Sequence, residues 1–245
     1  MISFVIPCYR SEKTLRQVTV EIQKTMERHD RAAQCGYEII LVCDGSPDRT
    51  YPLIRYLAKQ SRNIKGILLS RNFGQHAAIL AGLSFATGDV IVCMDDDLQT
   101  PASESIRLIR KLGQGYDVVY ARYLKKKHSA FRNAGSILNG MMQTVLFQKP
   151  AGLQTSSFFA IRRPVARAVC RYQHPGPYLS GMVLRTTARI ANVPVRHRKR
   201  VSGKSTYTIR RLIKLLWNGV LTAFAKPGVR YAKPQYRVAA STFPM

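Results

Sequence analysis

The stretch Val90-Ile91-Val92-Cys93-Met94-Asp95-Asp96-Asp97-Leu98-Gln99 joins five apolar residues to three consecutive carboxylates. Its first half reads as a strand buried on both faces, as in the middle of a parallel sheet. Three adjacent carboxylates at the end of such a strand repel one another strongly unless a cation lies among them. In extended backbone Asp95 and Asp97 point to one side and Asp96 to the other. Asp95 and Asp97 can therefore share one hard cation, Mg2+ or Mn2+, with Gln99 offering a third oxygen. The plainer alternative is an acidic loop exposed to solvent or capping the next helix.

On either side of this stretch the chain alternates between two periods. β-Rich runs fall at residues 2–6, 38–43, 64–69, 90–94 and 117–120, with helical patterns at about 12–28, 48–60, 75–86 and 101–112. Strand–helix alternation of this kind predicts an α/β domain with a mostly parallel sheet and helices on both faces. In such sheets ligands bind beyond the carboxyl ends of the strands. Two further strand ends qualify, Pro7-Cys8-Tyr9 and Asp44-Gly45-Ser46; Asp44 alone reads equally as a turn residue. Neither GxGxxG nor GxxxxGK[ST] is present, so a nucleotide is held in some other way.

The chain has 245 residues, 46% of them hydrophobic, which suffices for a sizeable core and excludes wholesale disorder. Charge is distributed unevenly. Residues 1–117 contain all 13 acidic residues and 15 basic ones, whereas residues 118–245 contain 24 basic residues and no carboxylate side chain. A basic half of this kind implies a polyanionic partner: anionic lipid, phosphate groups or nucleic acid. The five cysteines are scattered without CxxC spacing, which argues for a reducing compartment and against a zinc site. The N-terminal apolar stretch is too short for a signal peptide, and no run approaches the ~18–20 apolar residues that span a bilayer.

In the second half, helical patterns at about 129–147, 164–171, 178–187 and 207–224 flank β-like runs at 157–161 and 190–196. Residues 212–224 (LIKLLWNGVLTAF) set Lys214, Asn218 and Thr222 four apart on a broad apolar background that includes Trp217. This is the pattern of a helix lying in a membrane interface, or of a core or dimer-packing helix. Residues 226–245 are polar and proline-containing and are expected to be poorly ordered.

Several segments, taken in order, resemble the family-two glycosyltransferases of the polyprenyl-phosphate branch, which includes dolichyl-phosphate mannose synthase and bactoprenol glucosyl transferases. They are Val5-Ile6-Pro7-Cys8-Tyr9, Val42-Cys43-Asp44-Gly45-Ser46, Ser70-Arg71-Asn72-Phe73-Gly74, Ala81-Gly82-Leu83 through Thr87-Gly88-Asp89, Met94 through Gln99, Tyr116 through Tyr120, and Arg200 through Tyr207. The resemblance covers about residues 2–224. It implies the GT-A (Rossmann-like) nucleotide-sugar fold, with a catalytic domain over 1–208, an amphipathic interfacial helix over 209–225 and the tail beyond. Within the catalytic domain, residues 1–120 form the nucleotide-binding half and 121–208 the basic acceptor half.

The resemblance also implies roles. Pro7, Tyr9 and Glu12 line the base and ribose pocket, with Asp44 beside the nucleotide. Asp95, Asp97 and Gln99 hold the divalent cation, and Asp96 stands nearer the sugar. Arg122, Arg132 and Ser136 approach the acceptor phosphate. Arg200, with Lys204 and Ser205 on one loop, closes over the diphosphate. A solvated basic face is the alternative for each arginine. The segment Gln154-Thr155-Ser156-Ser157-Phe158-Phe159 replaces an Asp-containing stretch of many relatives, and sugar choice is expected to rest on it.

The acceptor half offers no carboxylate to act as base. A lipid phosphate needs none, since a phosphate monoester carries about −1.5 to −2 charge near neutral pH and is held by guanidinium groups. The expected activity is inverting transfer from a nucleotide sugar, a UDP-sugar by preference, to undecaprenyl or dolichyl phosphate in cell-envelope glycan synthesis. The expected setting is peripheral, on the cytoplasmic face of an anionic membrane, with a membrane partner subunit or a homo-oligomer allowed. Two alternatives compete: a sugar-nucleotide-binding protein with lost or partner-dependent turnover, and a nucleic-acid-binding protein. The latter lacks any RNP, zinc-finger or KH signature and leaves the carboxylate cluster unexplained, so no nucleic acid is expected as partner.

Overall fold

A computed structural model describes residues 1–29, 36–123, 130–198, 209–229 and 234–243. Within these, eight strands form one sheet: β1 (Ile2–Cys8), β2 (Tyr37–Cys43), β3 (Ile64–Leu69), β4 (Val90–Cys93), β5 (Val118–Tyr123), β6 (Phe159–Arg162), β7 (Ile190–Val195) and β8 (Val238–Ser241). The order is β7-β5-β6-β4-β1-β2-β3-β8. The pairs β1–β2, β1–β4, β2–β3 and β5–β7 are parallel; β6 runs antiparallel to β4 and β5, and β8 antiparallel to β3.

The helices are α1 (Leu15–Glu27), α2 (Thr50–Gln60), α3 (Gln75–Phe85), α4 (Ser105–Leu112), α5 (Ala130–Phe147), α6 (Arg163–Cys170), α7 (Leu179–Thr186) and α8 (Ile209–Phe224). The helix expected from residue 101 begins instead as a 3-10 turn, Ala102–Glu104, behind Pro101. Alternate residues of β2 supply two cores. Ile39, Leu41 and Cys43 pack with α1, α2 and α4 on one face, and Ile40 and Val42 with α3, α6 and α7 on the other. Because both faces are covered, the strand is apolar almost throughout.

Helix α3 is apolar all round and lies directly on β1 and β2. A Cβ at Gly82 would collide with the Val5 side chain, so the close approach of this helix depends on glycine. The tail departs from expectation. Residues 238–241 join the sheet beside β3, Thr242 bonds to Gly66 through both backbone and side chain, and the Phe243 ring packs 4.9 Å from that of Phe85. Residues 230–233 and 244–245 lie outside the described residues.

From β1 the chain places β2 and β3 on one side, then returns to place β4 on the other. The carboxyl ends of β1 and β4 therefore border a topological switch point, the crevice where such sheets bind ligands. Cys8 stands level with Cys43, Val5 with Cys93, and Cys93 with Phe159, so the loops after β1, β2 and β4 and the start of β6 share one edge.

Candidate active site

The loops at this edge are joined by hydrogen bonds. Arg10, at φ 58°, donates its N–H to Ser46 Oγ at 2.8 Å, and Ser11 N–H donates to Thr50 Oγ1 at 2.9 Å. Asp48 Oδ1 accepts from Ser46 Oγ, Thr50 N–H and Thr50 Oγ1. Glu12 accepts from Arg49 N–H at 3.2 Å, which ties the β1 loop to the start of α2. Pro7 is half-buried at the end of β1. Tyr9 is exposed, with the Arg10 guanidinium 5.7 Å from its ring centroid. The residues expected around a base and ribose, Pro7, Tyr9 and Glu12, thus lie at the end of β1 and on the loop after it.

Asp44 is buried, and both of its oxygens are engaged: Oδ1 accepts from Phe73 N–H at 2.7 Å and Oδ2 from Gly74 N–H at 2.9 Å. Burial pushes its carboxyl up, while these two N–H groups and the Lys214 ammonium draw it back. Asp44 is the clasp between the β2 and β3 loops. Gly45, at φ +56°, allows the clasp, because a Cβ there would run into the backbone of Arg71 and Asn72.

The three aspartates take different partners. Asp95 accepts from Gln75 Nε2 and Ser157 Oγ, each at 2.6 Å. Asp96 accepts from Ser11 Oγ across the switch point. Asp97 Oδ1 accepts from Gln99 N–H at 3.1 Å. Between them, buried Leu98 takes a left-handed φ of 61°, a conformation that costs a bulky residue on the order of 1 kcal/mol and is held here by its apolar surroundings. Asp95 and Asp97 both act on the Tyr123 hydroxyl, which burial and these charges push up to about 12 although Thr100 bonds to it. Strand β4 ends at Cys93, and Asp96 and Asp97 lie in a bend rather than in the extended backbone expected for the three aspartates. Burial, with Asp95 and Asp97 adding to it and Ser11 opposing, pushes the Asp96 carboxyl up to about 7.

Among the described residues no three His, Cys, Asp or Glu side chains form a metal-binding group. What the loop offers is two carboxylates and the Gln99 amide, all hard oxygen donors. That set fits an ion of the Mg2+ class completing its shell with substrate phosphates and water rather than a closed protein cage.

Arg122 is exposed at the end of β5 and, by strand alternation, emerges on the face of Tyr120. Arg132 and Ser136 lie on α5, but their side chains, like Arg200, Lys204 and Ser205 altogether, are outside the described residues. The approach to that last loop is anchored: Arg198 N–H donates to Gln99 O at 2.7 Å, its guanidinium meets Glu21 at 3.1 Å, and His197 packs edge-on to Tyr123 at 4.8 Å. Sequence reasoning did not single out Ser11, Gln75 or Tyr123. Only Gln75 carries a signal, as the residue after the quoted SRNFG segment.

Part of the polar stripe of helix α8 faces the protein: Asn218 approaches Gly176 and buried Thr222 accepts from Tyr178 N–H at 3.2 Å, whereas Lys214 is exposed and acts on Asp44 through its charge. Ile213, Trp217 and Phe224 are exposed, at 61%, 62% and 78%, and Leu138, Met141 and Val145 of the neighbouring α5 are exposed as well. The two helices meet where Gly219 lets Met142 approach its backbone. Arg185 Nη1 holds the α8 terminus, lying 2.7–2.9 Å from the carbonyls of Thr222, Ala223 and Ala225.

The chain resembles known proteins at two levels. It is similar to the undecaprenyl-phosphate 4-deoxy-4-formamido-L-arabinose transferase of Photorhabdus laumondii, 33% identical over 218 residues, covering 89% of this chain and 66% of that protein. The enzyme of the same description from Salmonella choleraesuis is 33% identical over 228 residues, covering 92% and 68%. The chain thus spans about two thirds of the length of these relatives. Among solved structures it is similar to glucosyl-3-phosphoglycerate synthase from Mycobacterium tuberculosis in complex with Mn2+, UDP-glucose and phosphoglyceric acid. That likeness has 18% identity and a TM-score of 0.64, over 96% of this chain and 90% of that one. The complex with Mn2+ and UDP-glucose gives 20% identity, a TM-score of 0.63, and coverage of 97% and 85%. These likenesses establish the GT-A fold. Residues 3–170, which contain the β1, β2 and β4 loops and all three aspartates, match Glycosyl transferase family 2, and the chain belongs to that family.

Proposed function

We propose that the protein transfers a sugar from a UDP-sugar to a polyprenyl phosphate at the cytoplasmic face of an anionic membrane, with inversion at the anomeric carbon. The observation that carries this reading is the orientation of α8. Ile213, Trp217 and Phe224 are exposed on a helix whose Lys214 charge reaches Asp44, so an apolar flank fit for lipid lies beside the crevice. No helix among the described residues is long and apolar enough to cross a membrane, and an interfacial attachment fits the exposed flank. Clustered Lys and Arg are drawn to anionic lipid at about 1 kcal/mol each. The relatives named for undecaprenyl phosphate support the acceptor class, and their 4-deoxy-4-formamido-L-arabinose is a candidate for the donor sugar.

In this reading Pro7, Tyr9 and Glu12 border the base and ribose, and Asp44 keeps the β3 loop in place around them. Asp95, Asp97 and Gln99 would hold Mg2+ or Mn2+, which when bound offsets the charge of the departing nucleoside diphosphate. Arg122, Arg132 and Ser136 orient the acceptor phosphate, and Arg200, Lys204 and Ser205 shield the diphosphate from water. An oxygen of the lipid phosphate, already anionic, attacks the anomeric carbon as the bond to the diphosphate breaks; no protein base takes a proton. Asp96, tied to Ser11, adds electrostatic support near the anomeric centre.

The test is release of nucleoside diphosphate from a panel of UDP- and GDP-sugars with Mg2+ or Mn2+, with and without undecaprenyl or dolichyl phosphate in detergent. NMR of the product would give its anomeric configuration. Turnover that depends on one donor and on lipid phosphate, with an inverted product, is expected. Donor binding without turnover in any lipid phosphate would favour a binding protein instead.

A further inference from the structure

Antiparallel strands β4 and β6 keep one register: Val90 stands level with Arg162, Val92 with Ala160 and Cys93 with Phe159. Carried two residues past Cys93, that register sets Asp95 opposite Ser157, and Ser157 Oγ donates to Asp95 Oδ2 at 2.6 Å. The other oxygen, Oδ1, accepts from Gln75 Nε2, also at 2.6 Å. Gln75 opens α3 in the first half of the chain, and Ser157 leads into β6 in the second half. The Asp95 carboxylate is thus gripped from both halves, by one oxygen each.

Both donors are themselves held in place. Gly74, just before Gln75, has its N–H on Asp44 Oδ2 at 2.9 Å, and His76, just after it, has Nδ1 3.2 Å from the Pro177 carbonyl. Gln75 is exposed, so its amide is aimed by this fixed backbone rather than by enclosure. Beside Ser157, Ser156 Oγ donates to Phe158 O at 2.7 Å, and the Phe158 side chain is buried. Bonds this short to an anion are of the strong, charge-assisted kind. They take up two of about four lone-pair positions on the carboxylate, which leaves room for a cation on the same group.

We propose that Gln75 and Ser157 are positioning residues for the divalent cation: they aim the Asp95 carboxylate and leave its charge for the metal. The inference rests on the transferase reading of the crevice and adds to it the side chains that set cation affinity from behind a ligand. An amide and a hydroxyl orient a carboxylate without cancelling its charge, whereas an ammonium or guanidinium in their place would compete with the cation for it. Groups that orient a metal-ligating side chain typically carry roughly 10–100-fold in metal affinity. A pair that only joined the two halves of the chain would carry stability instead.

The experiment measures Mn2+ affinity with UDP or GDP present, from the electron paramagnetic resonance signal of the free ion. Wild type, Gln75→Leu, Gln75→Lys, Ser157→Ala and the Gln75→Leu/Ser157→Ala double variant are compared, and urea titration of each metal-free protein reports stability. Each of Gln75→Leu and Ser157→Ala is expected to weaken Mn2+ binding by about ten-fold, and the double variant by more than either. Gln75→Lys keeps a donor but adds a charge, and is expected to lose at least as much as Gln75→Leu. Gln75 is exposed, so its two variants keep the test open even where a Ser157 variant folds poorly. Wild-type Mn2+ affinity in Gln75→Leu and in Gln75→Lys overturns the proposal, and a loss of stability alone would make the pair a structural tie. In either case, nucleotide and Mn2+ binding by wild type leaves the transferase reading standing. Failure of wild type to bind UDP or GDP in Mn2+ overturns that reading, and this one with it.

Discussion

At the amino end of the sheet Glu38 is 3% exposed, yet its carboxylate is fully served: Ser3 Oγ donates at 2.6 Å, Thr87 N–H and Oγ1 each at 2.8 Å, and the Lys65 ammonium sits 2.6 Å away. At the carboxyl end, three aspartates in a row share a loop. One of them, Asp96, accepts from Ser11 Oγ and has two negative neighbours. Burial alone would raise both groups. Lys65, Ser3 and Thr87 bring Glu38 below its ordinary value, whereas Asp95 and Asp97 help carry Asp96 up to about 7. One fold thus satisfies a carboxylate at one end of the sheet and leaves others crowded at the end where the proposed cation would be held.

The two ends should separate under mutation. Asp97→Ala is expected to reduce sugar transfer by on the order of 10²–10³-fold, the scale of losing one preorganised electrostatic group, with a melting temperature no lower than wild type. A loss of transfer matched by a loss of folding would mean that the cluster is structural. Glu38→Ala should do the reverse: about 3 kcal/mol of stability lost in urea titration, because Lys65 and three donors are left without their acceptor, at little cost to turnover per folded molecule.

The smallest and most pointed contrast is in pH. Since the folded pKa of Glu38 is depressed, its contribution is complete above the unfolded value near 4.3 and is lost as pH falls through the folded one. Asp96 has the opposite sign. With a folded value of about 7 against roughly 3.9 unfolded, it takes stability from the metal-free fold progressively as pH rises from about 4 to about 7, a penalty complete above that and absent in acid. Asp96→Asn should therefore stabilise the metal-free protein by about 1–2 kcal/mol at pH 8 and by almost nothing at pH 4, as read from urea titrations at the two pH values. A uniform gain at both would show that packing, not charge, separates the two ends.

Much of this was legible in the sequence because it is written locally. The alternation of apolar runs and amphipathic stretches located the sheet through β7, and the abrupt change from Met94 to Asp95 located its functional end. What was hidden depends on distant partners. Asp44 looked like either a turn residue or a nucleotide ligand; its bonds to Phe73 and Gly74 come from thirty residues away. Glu38 carried a signal, a charge inside an apolar strand, but its four donors lie on three other segments. Gln143 sits in a stretch that reads as a basic, Met-rich helix, and its bonds to Thr155 and Tyr178 need α5 to meet the segments before β6 and α7. The four-residue spacing of Lys214, Asn218 and Thr222 revealed a polar stripe on α8 but not that its Asn218 and Thr222 turn inward while Lys214 stays exposed.

Strand β8 was hidden for the same reason, since Val238–Ser241 has no strand pattern long enough to stand alone and is extended because β3 pairs with it. Without that pairing, β3 would show a row of open backbone donors and acceptors to any extended chain it met, which is how native sheets begin to stick to one another. Val238–Ser241 thus shield the β3 edge against aggregation. Truncation ahead of β8 is a change to colloidal behaviour as much as to length: a shortened protein would be expected to precipitate during storage or concentration before any loss in its chemistry was noticed.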